Sequence, residues 1–455
     1  MSNKHLHLHL KERRRMKLKT LTTAMILATV PMTGAFAAAL DRSGQSIAAF
    51  LQPGNYFEAG ISVLDPDVSG KDLSGNTTGD MAGDYYFPSA ALKLQLNDHI
   101  SFGLIYDQPF GADAEYTGNN NFVANPSNLL LPSPLSPTLG QAGLGNTVTG
   151  GTSVEVDTQN LSFIMGYQPT ANWNLYGGAV YQTVKGNVKL RGSAYSLYNG
   201  YDANIKETGD VGWLAGIAYQ IPEIALKASL TYRSEIDHSV NVNENIPIVN
   251  LVAANPTLLF NALGITNPAQ QQAIGQKLAS LGGSGKTEIT TPQSVNLDLQ
   301  TGIMENTVAF ANIRWVNWKD FSIQPYKFGI VSEAAGQLLP QLNKPNGFNL
   351  VDYSDDQWSI TTGVGRKLND KWAGNISVGY DTGAGNPVTT LGPTEGYWNL
   401  GLGAQFSPTP QTFIAGGVKY FWLGDADAQT GAHSAAGTFN DNNAIAYGLK
   451  MGYKF

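Results

Sequence analysis

Trp398, Leu400, Leu402, Ala404 and Phe406 alternate with Asn399, Gly401, Gly403 and Gln405, and this two-residue period recurs along most of the chain beyond residue 54. In Ile100–Tyr106 the even positions are large and apolar. Near the C-terminus Tyr447, Leu449, Met451, Tyr453 and Phe455 oppose Gly448, Lys450, Gly452 and Lys454. Side chains of a strand point alternately to its two faces, so each segment has one oily face and one small or polar face. A soluble sandwich alternates in the same way, and the connections separate the two folds. Fourteen strands are expected, near 55–66, 85–96, 99–110, 152–168, 172–189, 211–221, 225–240, 288–303, 306–322, 353–368, 371–382, 395–406, 412–423 and 443–455. Tight turns such as Asn97-Asp98, Pro169-Thr170-Ala171 and Asn369-Asp370 follow even strands, whereas long loops at 111–151, 241–287 and 323–352 follow odd ones. An even strand number with short turns at one end and long loops at the other predicts an all-β, transmembrane antiparallel β-barrel, since backbone groups in lipid must pair around a closed ring.

The N-terminus is consistent with export. Lys11, Arg13, Arg14, Arg15, Lys17 and Lys19 form a basic region, Leu21 to Pro31 is apolar, and Ala35-Phe36-Ala37 fits an A-x-A cleavage site. Residues 1–37 therefore read as a secretory signal peptide, with Met16 as an alternative start. The apolar stretch is too short to span a bilayer, and no later segment reaches the ~18 apolar residues that a membrane helix needs. Removing 1–37 leaves 21 basic and 34 acidic residues, the opposite of the balance that nucleic-acid binding requires. Cysteine is absent, which excludes thiolate nucleophiles and thiolate metal sites.

The long loop at 241–287 carries helix signals. Asn255-Pro256 and Asn267-Pro268 each place a capping residue before a proline suited to a first helical turn. Ile274, Leu278 and Leu281 then recur at helical spacing. Two short amphipathic helices are expected, serving either as a ligand-catching groove or as a cover for the barrel mouth. Leu129–Leu135 in the 111–151 loop is similarly apolar.

Ile61–Gly70 (ISVLDPDVSG), Leu230–Ile236 (LTYRSEI) and Trp315–Phe321 (WVNWKDF) resemble segments of the FadL/TodX family of outer-membrane transporters of hydrophobic compounds. The resemblance runs in order and spacing over most of residues 41–455. It implies a fourteen-stranded barrel of the Gram-negative cell outer membrane with a luminal N-terminal hatch, an extracellular groove and an interior pocket. It also implies sideways exit at a kinked third strand. The implied partners are a long-chain fatty acid or other hydrophobic ligand, outer-membrane lipid and the barrel-assembly machinery, for which Phe455 closes a terminal aromatic strand; a monomer is expected. Here residues 38–54 leave only a short hatch or plug before the barrel of 55–455, and the family's Asn-Pro-Ala element is missing. Asp41–Ser46 stands in its place. The third strand breaks at Asp107-Gln108-Pro109-Phe110-Gly111, where Pro109 donates no ladder bond, so Pro109, Phe110 and Gly111 are the candidate gating kink. A strand simply ending there fits the same residues.

No enzyme constellation emerges. His99, His238 and His433 follow the leader without ligand spacing, and Gly282–Thr287 imitates a phosphate loop but sits in helix–loop–strand order. No catalytic residue, metal or cofactor is expected. Face assignment by alternation instead turns Lys93, Lys227, Arg233, Arg314, Lys367 and Lys419 inward, with Glu235 and Asp237 on the same face as Arg233. Arg233, Arg314, Lys93 and Lys419 are candidate ligands for a carboxylate. For any single residue, a structural network with neighbouring acids is the favoured reading. Passive, gated uptake of an amphipathic hydrophobic ligand is the expected function. A general porin and a non-transport adhesin or structural barrel are the alternatives; long-chain fatty acids are the expected cargo, although the sequence by itself does not choose between them and aromatic hydrocarbons.

Overall fold

The computed structural model describes residues 40–126, 148–283 and 285–455; the leader and Leu129–Leu135 lie outside them. Fourteen strands form the wall: β1 Tyr56–Asp67, β2 Tyr85–Gln95, β3 Ile100–Asp107 resuming as Gly111–Glu115, β4 Ser153–Tyr167, β5 Trp173–Leu190, β6 Tyr201–Ile221, β7 Leu226–Arg233 resuming as Ile236–Asn245, β8 Lys286–Thr291 resuming as Ser294–Met304, β9 Thr307–Val316, β10 Gln357–Lys367, β11 Trp372–Asp381, β12 Tyr397–Phe406, β13 Thr412–Leu423 and β14 Asn443–Lys454. Each pairs antiparallel with the next, and β1 closes on β14 from Tyr56↔Lys454 to Asp67↔Asn443. The strand count and the long–short loop asymmetry agree with the sequence. Boundaries differ where a break hides the pattern: β6 begins at Tyr201 rather than 211, β7 runs on to Asn245, and β9 stops at Val316.

The outward faces carry the apolar band. Leu400, Leu402, Val418, Leu449 and Met451 are all exposed on the outer wall. Aromatic pairs bound this band on both sides, with Trp398 against Tyr380 at 4.7 Å and Trp372 against Phe406 at 4.9 Å. From Trp398 to Phe406 is roughly 26 Å along the strand at ~3.3 Å per residue. At ~40° tilt that is about 20 Å of membrane normal, close to the ~25 Å typical of such barrels.

Residues 41–52 lie inside the ring. Arg314 of β9 donates to both carboxylate oxygens of Asp41, at 2.8 and 3.0 Å, and also to Asn296 at 2.7 Å. Both partners of this ion pair are buried, at 1% and 3% exposure. Phe50 enters a cluster with Ile164, Tyr176 and Leu214. Gly103 on β3 makes room for its ring, because a Cβ there would collide with Phe50.

Removing one member of a buried pair strands the other charge. Arg314→Ala is therefore expected to cost about 3–5 kcal/mol of segment docking, seen as faster amide exchange at 41–52 and higher ion conductance in planar bilayers. Asp41→Asn combined with Arg314→Gln should recover part of the loss; an unperturbed single variant would rule out the anchoring role. In intact cells, external protease should cut within 247–283 and spare Asn97-Asp98 and Asn369-Asp370. Cutting at either turn from outside would invert the orientation.

Candidate functional site: an aliphatic groove, an anchored segment and a break in the wall

The 246–285 connection folds into three helices where two were expected: α1 Pro247–Ala254, α2 Pro256–Leu263 and α3 Pro268–Ser280. Each starts with proline at the first turn, where the missing N–H costs nothing. Asn267 caps α3 by accepting from the Ala269 amide at 2.9 Å, whereas Asn255 makes no side-chain cap. The signal missed at α1 was Ile246-Pro247, which lacks a capping side chain. The next long connection adds α4, Tyr326–Leu338.

These helices enclose an apolar groove. Ile248 and Val252 of α1, Leu259 and Leu263 of α2, Ile274 and Leu278 of α3, and Ile330, Ala334 and Leu338 of α4 line it, together with Leu197. The lining is aliphatic throughout apart from Lys277 on α3. That lysine bridges to α4, with Nζ 3.2 Å from the Glu333 carboxylate and 3.0 Å from the Gln337 side-chain oxygen. Glu244 at the top of β7 accepts from the Lys327 and Phe328 amides at 2.7 and 2.8 Å, capping α4 from a different element and matching its positive end. Beneath the groove Tyr198 stacks on Phe328 at 4.1 Å and donates to the Phe328 carbonyl. Burial pushes the Tyr198 hydroxyl well above the ordinary tyrosine range, so it remains a donor.

Four of the six sequence-derived cations serve the N-terminal segment. Arg314 holds Asp41, Arg233 donates to the Gln45 carbonyl at 3.1 Å, Lys93 to the Gln52 carbonyl at 2.9 Å, and Lys227 to the Leu51 carbonyl at 2.7 Å. Inward orientation by alternation is correct for these four. Lys419 also turns inward, opposite Gly401, but lies apart from that set. Lys367 pairs with Asp370 at a tight turn instead. The expected grouping of Glu235 and Asp237 with Arg233 is wrong. Both acids are exposed, while Ile236 and His238 turn inward. β7 and β8 each break at the same level, between Arg233 and Ile236 and between Thr291 and Ser294, and their face pattern inverts there without a change of register.

Pro109, Phe110 and Gly111 lie where β3 parts from β2 while staying paired with β4. The β2–β3 ladder runs from Gln95↔Ser101 to Ala90↔Tyr106 and stops, so Tyr85–Ser89 pair only with β1. β3 meanwhile takes a new partner: the Arg42 amide donates to the Pro109 carbonyl at 2.7 Å, and Gly111 donates to the Leu40 carbonyl at 2.9 Å. The buried Arg42 guanidinium sits 3.3 Å over the Tyr85 ring, whose hydroxyl donates to the Asp113 carbonyl at 2.9 Å across the break. The break is thus a local interruption of the β2–β3 ladder, bounded above by the Gly83 amide donating to the Asp113 carbonyl at 3.0 Å and lined by the N-terminal segment. Arg42 was not singled out from sequence, since nothing local places it against β2.

Comparison with known proteins agrees with this architecture. Residues 143–455 match the family model for outer membrane protein transport proteins (OMPP1/FadL/TodX). No curated protein sequence matches the chain. Among solved structures, a Pseudomonas aeruginosa FadL homologue is similar at 14% identity and TM-score 0.64, covering 96% of this chain and 98% of its own. The Pseudomonas putida toluene transporter TodX is similar at 13% identity and TM-score 0.56, with 94% and 99% coverage. The Ralstonia pickettii toluene transporter TbuX follows at 12% and 0.53, with 94% and 97% coverage. With the family match spanning well over half of the residues, the chain belongs to the OMPP1/FadL/TodX family, whose members are outer-membrane channels for hydrophobic compounds and not enzymes.

Proposed function

We propose that the cargo is a long-chain fatty acid, caught in the extracellular groove, passed into the lumen and released sideways between β2 and β3. The observation that carries this reading is a groove lined by aliphatic side chains with one lysine at its edge. Flexible acyl chains fit Leu, Ile and Val surfaces, and burying each CH2 contributes about 0.8 kcal/mol. Lys277 is placed to exchange Glu333 for a fatty-acid carboxylate while its methylene stem stays on the apolar floor. Toluene, the cargo of two of the similar transporters, is the second reading; the absence of aromatic side chains among the described lining residues weighs against it. In this reading residues 38–54 act as a short hatch, and Arg233, Arg314 and Lys93, first read as head-group ligands, hold that hatch in place.

Lys277→Met keeps the groove apolar and removes the charge. It is expected to weaken fatty-acid binding roughly threefold to tenfold, about 0.7–1.4 kcal/mol for a half-exposed ion pair, and to leave a neutral alkane of equal length almost unaffected. Equal losses for both ligands, or none for the fatty acid, would remove the head-group role.

Because the chain has no cysteine, a single one can be labelled cleanly. Gln108→Cys carrying a bulky maleimide should lower fatty-acid uptake severalfold while groove affinity is unchanged. Full uptake after complete labelling would reject the exit between β2 and β3.

A further inference from the structure

The outer wall above the apolar band carries a second recessed surface, separate from the groove. On β5, β6 and β7 the register sets Asn187 beside Asn204 and Asn204 beside Asn243, all at outward positions of their strands. One row higher, Lys189 lies beside Asp202 and Asp202 beside Asn245. These side chains and Lys327 line a cleft of about 530 Å³ that ends against Gly283 and Gly285. Three asparagines abreast present an array of amide donors and acceptors, edged by Ala203, Val242 and Tyr326. The acids nearby are already engaged: Asp202 pairs with Arg191 at 2.6 Å, and Glu244 caps α4. Lys189 and Lys327 make no ion pair among the described residues.

Height along the wall identifies the occupant. Tyr181, Val211 and Trp213 are the last large apolar side chains exposed on β5 and β6. Asn187 lies six residues beyond Tyr181, roughly 20 Å along the strand at ~3.3 Å per residue, and about 15 Å above the band at ~40° tilt. At that height the surroundings of an outer-membrane barrel are the sugars of the outer-leaflet glycolipid, not acyl chains. We infer that this cleft binds the phosphorylated core oligosaccharide of that glycolipid, with the asparagine row hydrogen-bonding sugar hydroxyls and Lys189 and Lys327 meeting phosphate.

The probe is delipidated, phosphorylated core oligosaccharide titrated calorimetrically into the detergent-solubilised full-length barrel. Saturable binding is expected, weakened tenfold or more in Asn187→Ala/Asn204→Ala/Asn243→Ala and severalfold in Lys189→Glu/Lys327→Glu. Dephosphorylating the probe should reproduce the lysine effect in the wild type and add nothing in the lysine variant. Heat-modifiable mobility shows that each variant is folded, and unchanged fatty-acid binding separates this site from the transport reading. No saturable binding to the wild type, equal binding by folded variants, or equal binding of neutral dextran would overturn the proposal.

Discussion

Every backbone N–H and C=O within the hydrocarbon layer has to be paired inside the protein, and a closed ring of strands is how this chain meets that demand. The seam between β1 and β14 is the last step of closure, and twelve residues of β1 contribute to it. Once the ring exists, alternation assigns one face to lipid and the other to the lumen. The lumen then holds whatever polar and charged groups the inward positions carry. Each such group left without a partner in a space shielded from bulk water costs free energy.

Much of that demand is met by chain rather than by ligand. Asp41, Gln45, Leu51 and Gln52 offer a carboxylate and three carbonyls to Arg314, Arg233, Lys227 and Lys93. A short stretch of backbone thereby neutralises or solvates four cations drawn from β2, β7 and β9. The same stretch supplies a ladder partner to β3 where that strand abandons β2. Charge satisfaction in the lumen and the partner of β3 beyond its break therefore depend on one segment.

The breaks in β7 and β8 serve the groove. Above them the two strands remain paired as a ribbon, from Ile236↔Thr291 to Asn241↔Lys286, and this ribbon leads directly into α1 and out of α3. Glu244 at its top caps α4. The groove walls are thus tied to a part of the barrel that is only partly laddered to β6, whose pairing with β7 lapses between Leu214↔Arg233 and Ile205↔Val242.

The sequence by itself determined the barrel, its fourteen strands, which end carries the long loops, and the inward direction of Arg233, Arg314, Lys93 and Lys419. All of these follow from a period of two and from turn chemistry, which are local. It also placed the starts of α2 and α3, because Asn-Pro marks them within a few residues. Tertiary structure alone decided what the inward cations meet, since Asp41 and Arg314 are 273 residues apart and no local pattern relates them. The face inversion at Ser234-Glu235 was equally hidden: it preserves register and inserts no residue, so alternation read from one side predicts the wrong face on the other. Arg42 over Tyr85, and the asparagine row across β5, β6 and β7, likewise exist only once neighbouring strands have settled their register.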